Sequence, residues 1–145
     1  LVEKPMVLSS QEAEEIKSLI KDKVFMVAHQ YCYNDAVPRG EFKQISIEHS
    51  FSYKLANPYW EIGPHLFSVV DLLNFQGEIK FNFYPSKKKV RVWKFDGVEM
   101  GKPKTEPLRN EIEHFIDCVK NGKTPFTDIE HGLRVIKNVE KYEGK

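Results

Sequence analysis

The sequence lacks the marks of several large protein classes. Only two cysteines, Cys32 and Cys118, occur among 145 residues. Neither belongs to a CxxC pair, so a disulfide scaffold is excluded and a reduced, cytoplasmic protein is expected. No apolar run approaches the roughly 20 residues that cross a bilayer. The densest, Val24 to Ala28, is strand-sized, and no membrane partner is expected. An excess of one charge is also missing: 22 lysines and arginines face 21 aspartates and glutamates, a formal charge of +1. That balance offers no general field for a polyanion, so no nucleic-acid partner is expected, and Lys87-Lys88-Lys89 reads as a charged hairpin tip. The five histidines show no HExxH or paired ligand spacing, so the metal expectation is none. No GxGxxG or GxxxxGK[ST] run is present to cradle a phosphate. An initiator Met and a leader are absent too: Leu1-Val2 reads as a buried strand entered midway, and the chain as a piece of something longer.

What is present describes one folded unit. Hydrophobic residues make up 41% and charged residues 30%, an ordinary globular mixture. Ser9-Ser10-Gln11-Glu12 is a capping box, followed by a helix with Ala13, Ile16, Leu19 and Ile20 on one stripe. Val24 to Ala28 reads as a strand covered on both faces, as in a parallel sheet, so the first forty residues have the layout of a βαβ unit. The period changes after Pro38-Arg39-Gly40. From Ile45 to Leu55 the odd positions are Ile45, Ile47, His49, Phe51, Tyr53 and Leu55, the mark of a half-buried strand. Ile79, Phe81 and Phe83 alternate likewise, Val90 to Phe95 less regularly. Asp96-Gly97 supplies a hairpin turn, and antiparallel pairing is expected. Helices are predicted over Pro64–Asn74, over about Glu106–Asn121 (Leu108, Ile112, Phe115, Ile116, Val119), and from a second capping box at Thr127 (Leu133, Ile136, Val139, Tyr142).

Three groups of residues could carry chemistry. Glu3-Lys4-Pro5 ends the opening strand, and the carboxyl edge of an α/β sheet is where ligands bind. A lysine there could hydrogen-bond a substrate hydroxyl, or simply be a solvated strand end. Glu61 and His65 lie four apart across a Gly-Pro helix entry and could form an acid/base pair, or a helix-capping carboxylate beside a half-buried histidine. His29, Tyr31, Tyr33 and Asn34, after the buried strand, could line a polyol pocket or form a polar loop with packed tyrosines. Cys32 reads as a buried thiol, and Glu113-His114 and Glu130-His131 as surface features.

Taken in order, Glu3-Lys4-Pro5 before a capped helix, the Val27-Ala28-His29 strand end, Glu61-x-Gly63-x-His65 and the closing two-helix pattern from Leu108 resemble the Gfo/Idh/MocA family of NAD(P)-dependent sugar and cyclitol oxidoreductases. The resemblance implies an α/β to α+β chain: a remnant of a Rossmann-type parallel sheet over 1–38, then a mainly antiparallel sheet with helices on one face over 39–145. It implies a substrate-binding part of a dehydrogenase that removes hydride from a secondary hydroxyl, with NAD or NADP as cofactor. Lys4 matches the family's lysine near the nicotinamide, within the cofactor-contacting Glu3, Lys4 and Pro5. His65 matches its proton acceptor, and Glu61 stands where the family has aspartate. Ser68 replaces a further aspartate, Asp71 lies a turn beyond, and Cys32 replaces a common arginine. The alternative is a non-enzymatic relative kept for dimerisation or ligand binding. Alone, the chain is expected to be inactive, and its sheet face is the expected homo-oligomer surface.

Overall fold

The computed structural model describes residues 1–51 and 57–144. Its centre is a four-stranded sheet in the order β2-β1-β3-β4, formed by β1 (Gln44–Phe51), β2 (Glu78–Pro85), β3 (Arg91–Phe95) and β4 (Val98–Glu99). The alternation in the sequence sets which side chains share a face, because successive residues of a strand point oppositely. Three cross-strand rows result: Ile79–Ile45–Phe95, Phe81–Ile47–Trp93 and Phe83–His49–Arg91. The first two rows are the floor of the main core. Leu66, Val69 and Val70 of α3 (Gly63–Leu72) cover them. The third row turns polar at the sheet edge, and that change positions the site.

One expected pairing differs. β3 and β4 are antiparallel neighbours of the sheet, but β2 runs parallel to β1. The cause is the connection: α2 (Pro58–Glu61) and α3 carry the chain back across the face, so β2 starts at the same end as β1. Asp96 and Gly97, with φ of 48° and 82°, make the predicted hairpin turn between β3 and β4. The strand expected to run on to Leu55 is seen to Phe51; positions 52–56 lie outside the described residues.

The first forty residues keep a parallel pairing in reduced form. Instead of a strand over Val24–Ala28 there is one parallel bridge, Val2 to Val27. It is closed by hydrogen bonds from Val2 N to Met26 O (3.0 Å) and from Ala28 N to Val2 O (2.8 Å). Helix α1 (Ser10–Ile20) begins at Ser9, whose side chain accepts from Glu12 N; Ala13 is buried, but Leu19 is exposed. Helix α5 (Ile129–Glu143) packs on both parts of the chain. Leu133 and Ile136 meet Met6, Ala13 and Val27, while Val135 and Val139 meet Phe67.

Two helix details correct the sequence reading. The N-cap of α5 is Asp128, which accepts from His131 N, and not Thr127. Thr127 is buried and shares a hydrogen bond with the Tyr33 hydroxyl. In α4 (Pro107–Asn121) the expected apolar stripe is largely outside: Leu108, Ile112, Ile116 and Val119 are exposed, whereas Glu111 and Cys118 are buried. The inward face of α4 packs against the 3₁₀ turn Gln30–Tyr33, so it is chosen by that contact rather than by the most apolar stripe.

Candidate functional site

The sheet edge at the third row opens into a cleft of about 460 Å³. Lys4 and Pro5, Trp60 to Ile62, His65, His49, Phe51, Leu8 and Arg91 line it. Four separate pieces of chain contribute. The opening segment delivers Lys4 through a cis Lys4–Pro5 peptide beside the Val2–Val27 bridge. The helix pair delivers Glu61 at the end of α2 and His65 in the first turn of α3, where Pro64 suits the unpaired N–H groups. β1 and β3 deliver His49 and Arg91, which face each other in register.

The Lys4 ammonium is tied across the cleft: its Nζ donates to the Glu61 carbonyl at 2.7 Å. Burial pulls the Lys4 pKa below the ordinary ammonium range; Glu3 and Glu61 oppose this and Arg91 adds to it. His65 is held more firmly. Burial first, then the nearby Lys4 and Arg91 charges, push its imidazole down to about 3, so the ring is neutral at neutral pH. Its Nδ1 is buried without a hydrogen-bond partner among the described residues. Tyr31 supports the ring edge-on, with centroids 5.1 Å apart, and itself stacks on Trp93 at 5.0 Å. His49 is likewise pushed down to about 4, by burial and then by Arg91 and Lys89. Its Nε2 accepts from Arg91 Nε at 3.2 Å.

The structure thus brings Lys4, Glu61 and His65 to one cleft, with Glu3 exposed beside its rim. It does not bring the whole 29–34 group there. Tyr31 reaches His65, but His29, Tyr33 and Asn34 are buried away from the lining. The Tyr33 hydroxyl meets Met26 and Thr127, and the Asn34 side chain accepts from Ala36 N. Each turns inward because the 3₁₀ turn folds back against α3 and α4. Cys32 is a buried thiol pushed up to about 12 by desolvation, hydrogen-bonded to the Ser68 carbonyl.

A buried polar chain escaped the sequence reading. His29 Nδ1 lies 3.0 Å from His131 Nε2, and His131 Nδ1 lies 2.6 Å from Asp71 Oδ2. Arg134 completes it with two hydrogen bonds to the same carboxylate. His131 is therefore a core residue, not a surface one. Its spacing held the signal, since His131, Val135 and Val139 recur every four residues along the buried side of α5. His49 and Arg91 were also missed; the signal was a polar continuation of an apolar strand face.

The sequence matches no family model and no curated protein. Solved structures do match in fold. A UDP-N-acetylglucosamine 3-dehydrogenase from Acidithiobacillus ferrooxidans aligns over 97% of this chain and 68% of its own, with TM-score 0.79 and 14% identity. A dehydrogenase from Clostridium difficile aligns over 99% and 70%, with TM-score 0.72 and 16% identity. A scyllo-inositol dehydrogenase from Lactobacillus casei, solved with NAD(H) and scyllo-inositol, aligns over 95% and 68%, with TM-score 0.70 and 10% identity.

Proposed function

We propose that this chain, whose fold is that of the Gfo/Idh/MocA-type oxidoreductases, supplies the substrate side of an NAD(P)-dependent sugar or cyclitol dehydrogenase. One observation carries the reading: an amine and a neutral imidazole, sixty-one positions apart in sequence, line the same small cleft. A secondary hydroxyl seated between them would lose its proton to His65. The imidazole is neutral and unprotonated, as a proton acceptor must be. Lys4, pinned by the Glu61 carbonyl, would face the oxygen as negative charge develops and stabilise it in a partly desolvated site. A base held near 3 is weak, so His65 would take the proton only from a hydroxyl that Lys4 has already made more acidic.

The nicotinamide, when bound, supplies the hydride acceptor. Lys4 and Pro5 at the cleft and Glu3 beside them would meet that end of the cofactor. The phosphate end does not fit these residues. The glycines of positive φ, Gly40, Gly97 and Gly122, lie in a loop, a hairpin turn and a helix C-cap. None opens a helix whose N–H groups could hold a pyrophosphate. The same observation favours a second reading, a ligand-binding module without its own redox step. We also propose homo-oligomerisation through the outer sheet face, where Ser46, Glu48, Lys80, Asn82 and Lys94 lie, and a place in the cytoplasm, whose reducing conditions suit the free thiols of Cys32 and Cys118. Sedimentation equilibrium should show a dimer; a monomer at millimolar concentration removes that assignment.

The test of the main reading is a titration of the isotope-labelled chain with neutral cyclitols and hexoses. Saturable shifts should appear at the His65 ring and the Lys4 Nζ, and Lys4→Met or His65→Asn should abolish them. Shifts confined to other residues would overturn the assignment. Fusion to a dinucleotide-binding domain separates the two readings: hydride transfer from the bound sugar to NAD(P)⁺ marks the dehydrogenase, and sugar binding without transfer marks the module.

A further inference from the structure

The cleft does not end at Arg91. A second hollow of about 220 Å³ shares His49, Phe51 and Arg91 with it and adds Lys87, Lys89, Ser50 and Ser86. Together the two hollows are lined by Lys4, Lys87, Lys89 and Arg91 against a single carboxylate, Glu61. The chain as a whole carries a formal charge of only +1, so this edge gathers cations that the composition does not suggest.

The backbone that carries Lys87 and Lys89 is pinned to β1. Ser50, buried in β1, accepts from Val90 N and donates to the Lys88 carbonyl, both at 2.7 Å. Ser86 N donates to Phe51 O at 2.9 Å, and Ser86 Oγ accepts from Lys88 N at 3.1 Å. The loop carrying the lysines is thereby fastened to β1 at both ends, which lowers the ordering cost of any ligand it grips. Among the described residues no carboxylate pairs with Lys87, Lys88, Lys89 or Arg91. Arg91 uses Nε on neutral His49, an arrangement that orients the guanidinium without neutralising it. Glu48, the acid nearest in sequence to this edge of β1, is taken by the Tyr84 hydroxyl.

We propose that this second hollow is a phosphate subsite, and that the carbohydrate taken by the cleft is a phosphorylated sugar or cyclitol. A doubly charged phosphate suits the oriented Arg91 guanidinium and two ammonium groups on a pinned loop, and it would sit beside the ring whose hydroxyl reaches Lys4 and His65. The proposal rests on the substrate-side reading above, and the two are separable because each has its own reporters.

The experiment titrates the labelled 145-residue chain with inorganic phosphate, myo-inositol 1-phosphate, myo-inositol and NADH. Inorganic phosphate should give saturable shifts at Arg91 Nε and the Ser50 and Lys88 amides. The Lys87→Ala/Lys89→Ala variant should weaken it at least about tenfold, as should raising salt several-fold, and Lys87→Arg/Lys89→Arg should restore it. Non-saturating shifts, or affinity unchanged in the alanine variant, would overturn the subsite. So would NADH moving the same signals at lower concentration than either phosphate, because the cations would then serve the dinucleotide. Failure of the main reading looks different: the Arg91 signals respond to phosphate while neither inositol ligand moves His65 or Lys4.

Discussion

Protonation of His65 offers the sharpest check on the electrostatics of the cleft. An imidazole in the unfolded chain titrates near 6.5, whereas in the fold burial, Lys4 and Arg91 hold it down to about 3. Between those values the unfolded chain binds the proton that the folded chain refuses, so stability falls as pH falls. Linkage sets the slope at about 1.36 kcal/mol per pH unit, or about 2–3 kcal/mol between pH 6.5 and 4.5. Other groups act in the same window. His29, buried and lowered well below its usual range, adds a loss of the same sign. Glu111, raised to about 7 by burial, acts oppositely: the folded state takes its proton first, and that stability is lost as pH rises through 7. Asp71, held near 2 by His131 and Arg134 despite burial, acts only below about 4. The comparison therefore sets His65→Asn, which cannot titrate, against the parent. Urea denaturation followed through buried Trp93 should give a pH slope smaller by about 1.36 kcal/mol per unit in the variant between pH 4 and 6. Parallel curves for the two proteins would refute the claim that His65 is held neutral.

Three further outcomes follow from the packing. Asp71→Ala removes the carboxylate shared by His131 and Arg134 and should cost about 3–5 kcal/mol in urea denaturation, with the His29 and His131 ring signals shifted. Gly77→Ala should cost more than about 2 kcal/mol, because a Cβ there runs into the Lys43 carbonyl oxygen, which is backbone and cannot step aside. Glu111→Gln replaces a buried carboxyl whose Oε1 lacks a partner. Its stability relative to the parent should improve by about 2 kcal/mol between pH 5 and 8, as ionisation begins to penalise the glutamate.

Local rules in the chain were legible where they were self-contained. The Ser9 cap, the Asp96-Gly97 turn and the alternation of Ile45, Ile47, Ile79 and Phe81 all act within a few residues, and the fold keeps each of them. Pro64 at the start of α3 likewise marked the turn that carries His65. Long-range partners were not legible. The parallel direction of β2 follows from where α3 lands, and the exposed Leu108–Ile112–Ile116 stripe from which side of α4 meets the 3₁₀ turn.

The residue types that could do chemistry were determined by the sequence alone, as was the helix entry that carries Glu61 and His65; the strand expected before Lys4 is reduced to one bridge. Only the tertiary structure decided which of them share a cleft, that His29 turns inward to His131, and that Arg91 and Lys89 extend the cleft with positive charge. The physical reason is one of range. Periodicity and capping are set by bonds a few residues long, whereas a site is assembled by packing distant segments, whose burial then sets the charge state of what they enclose.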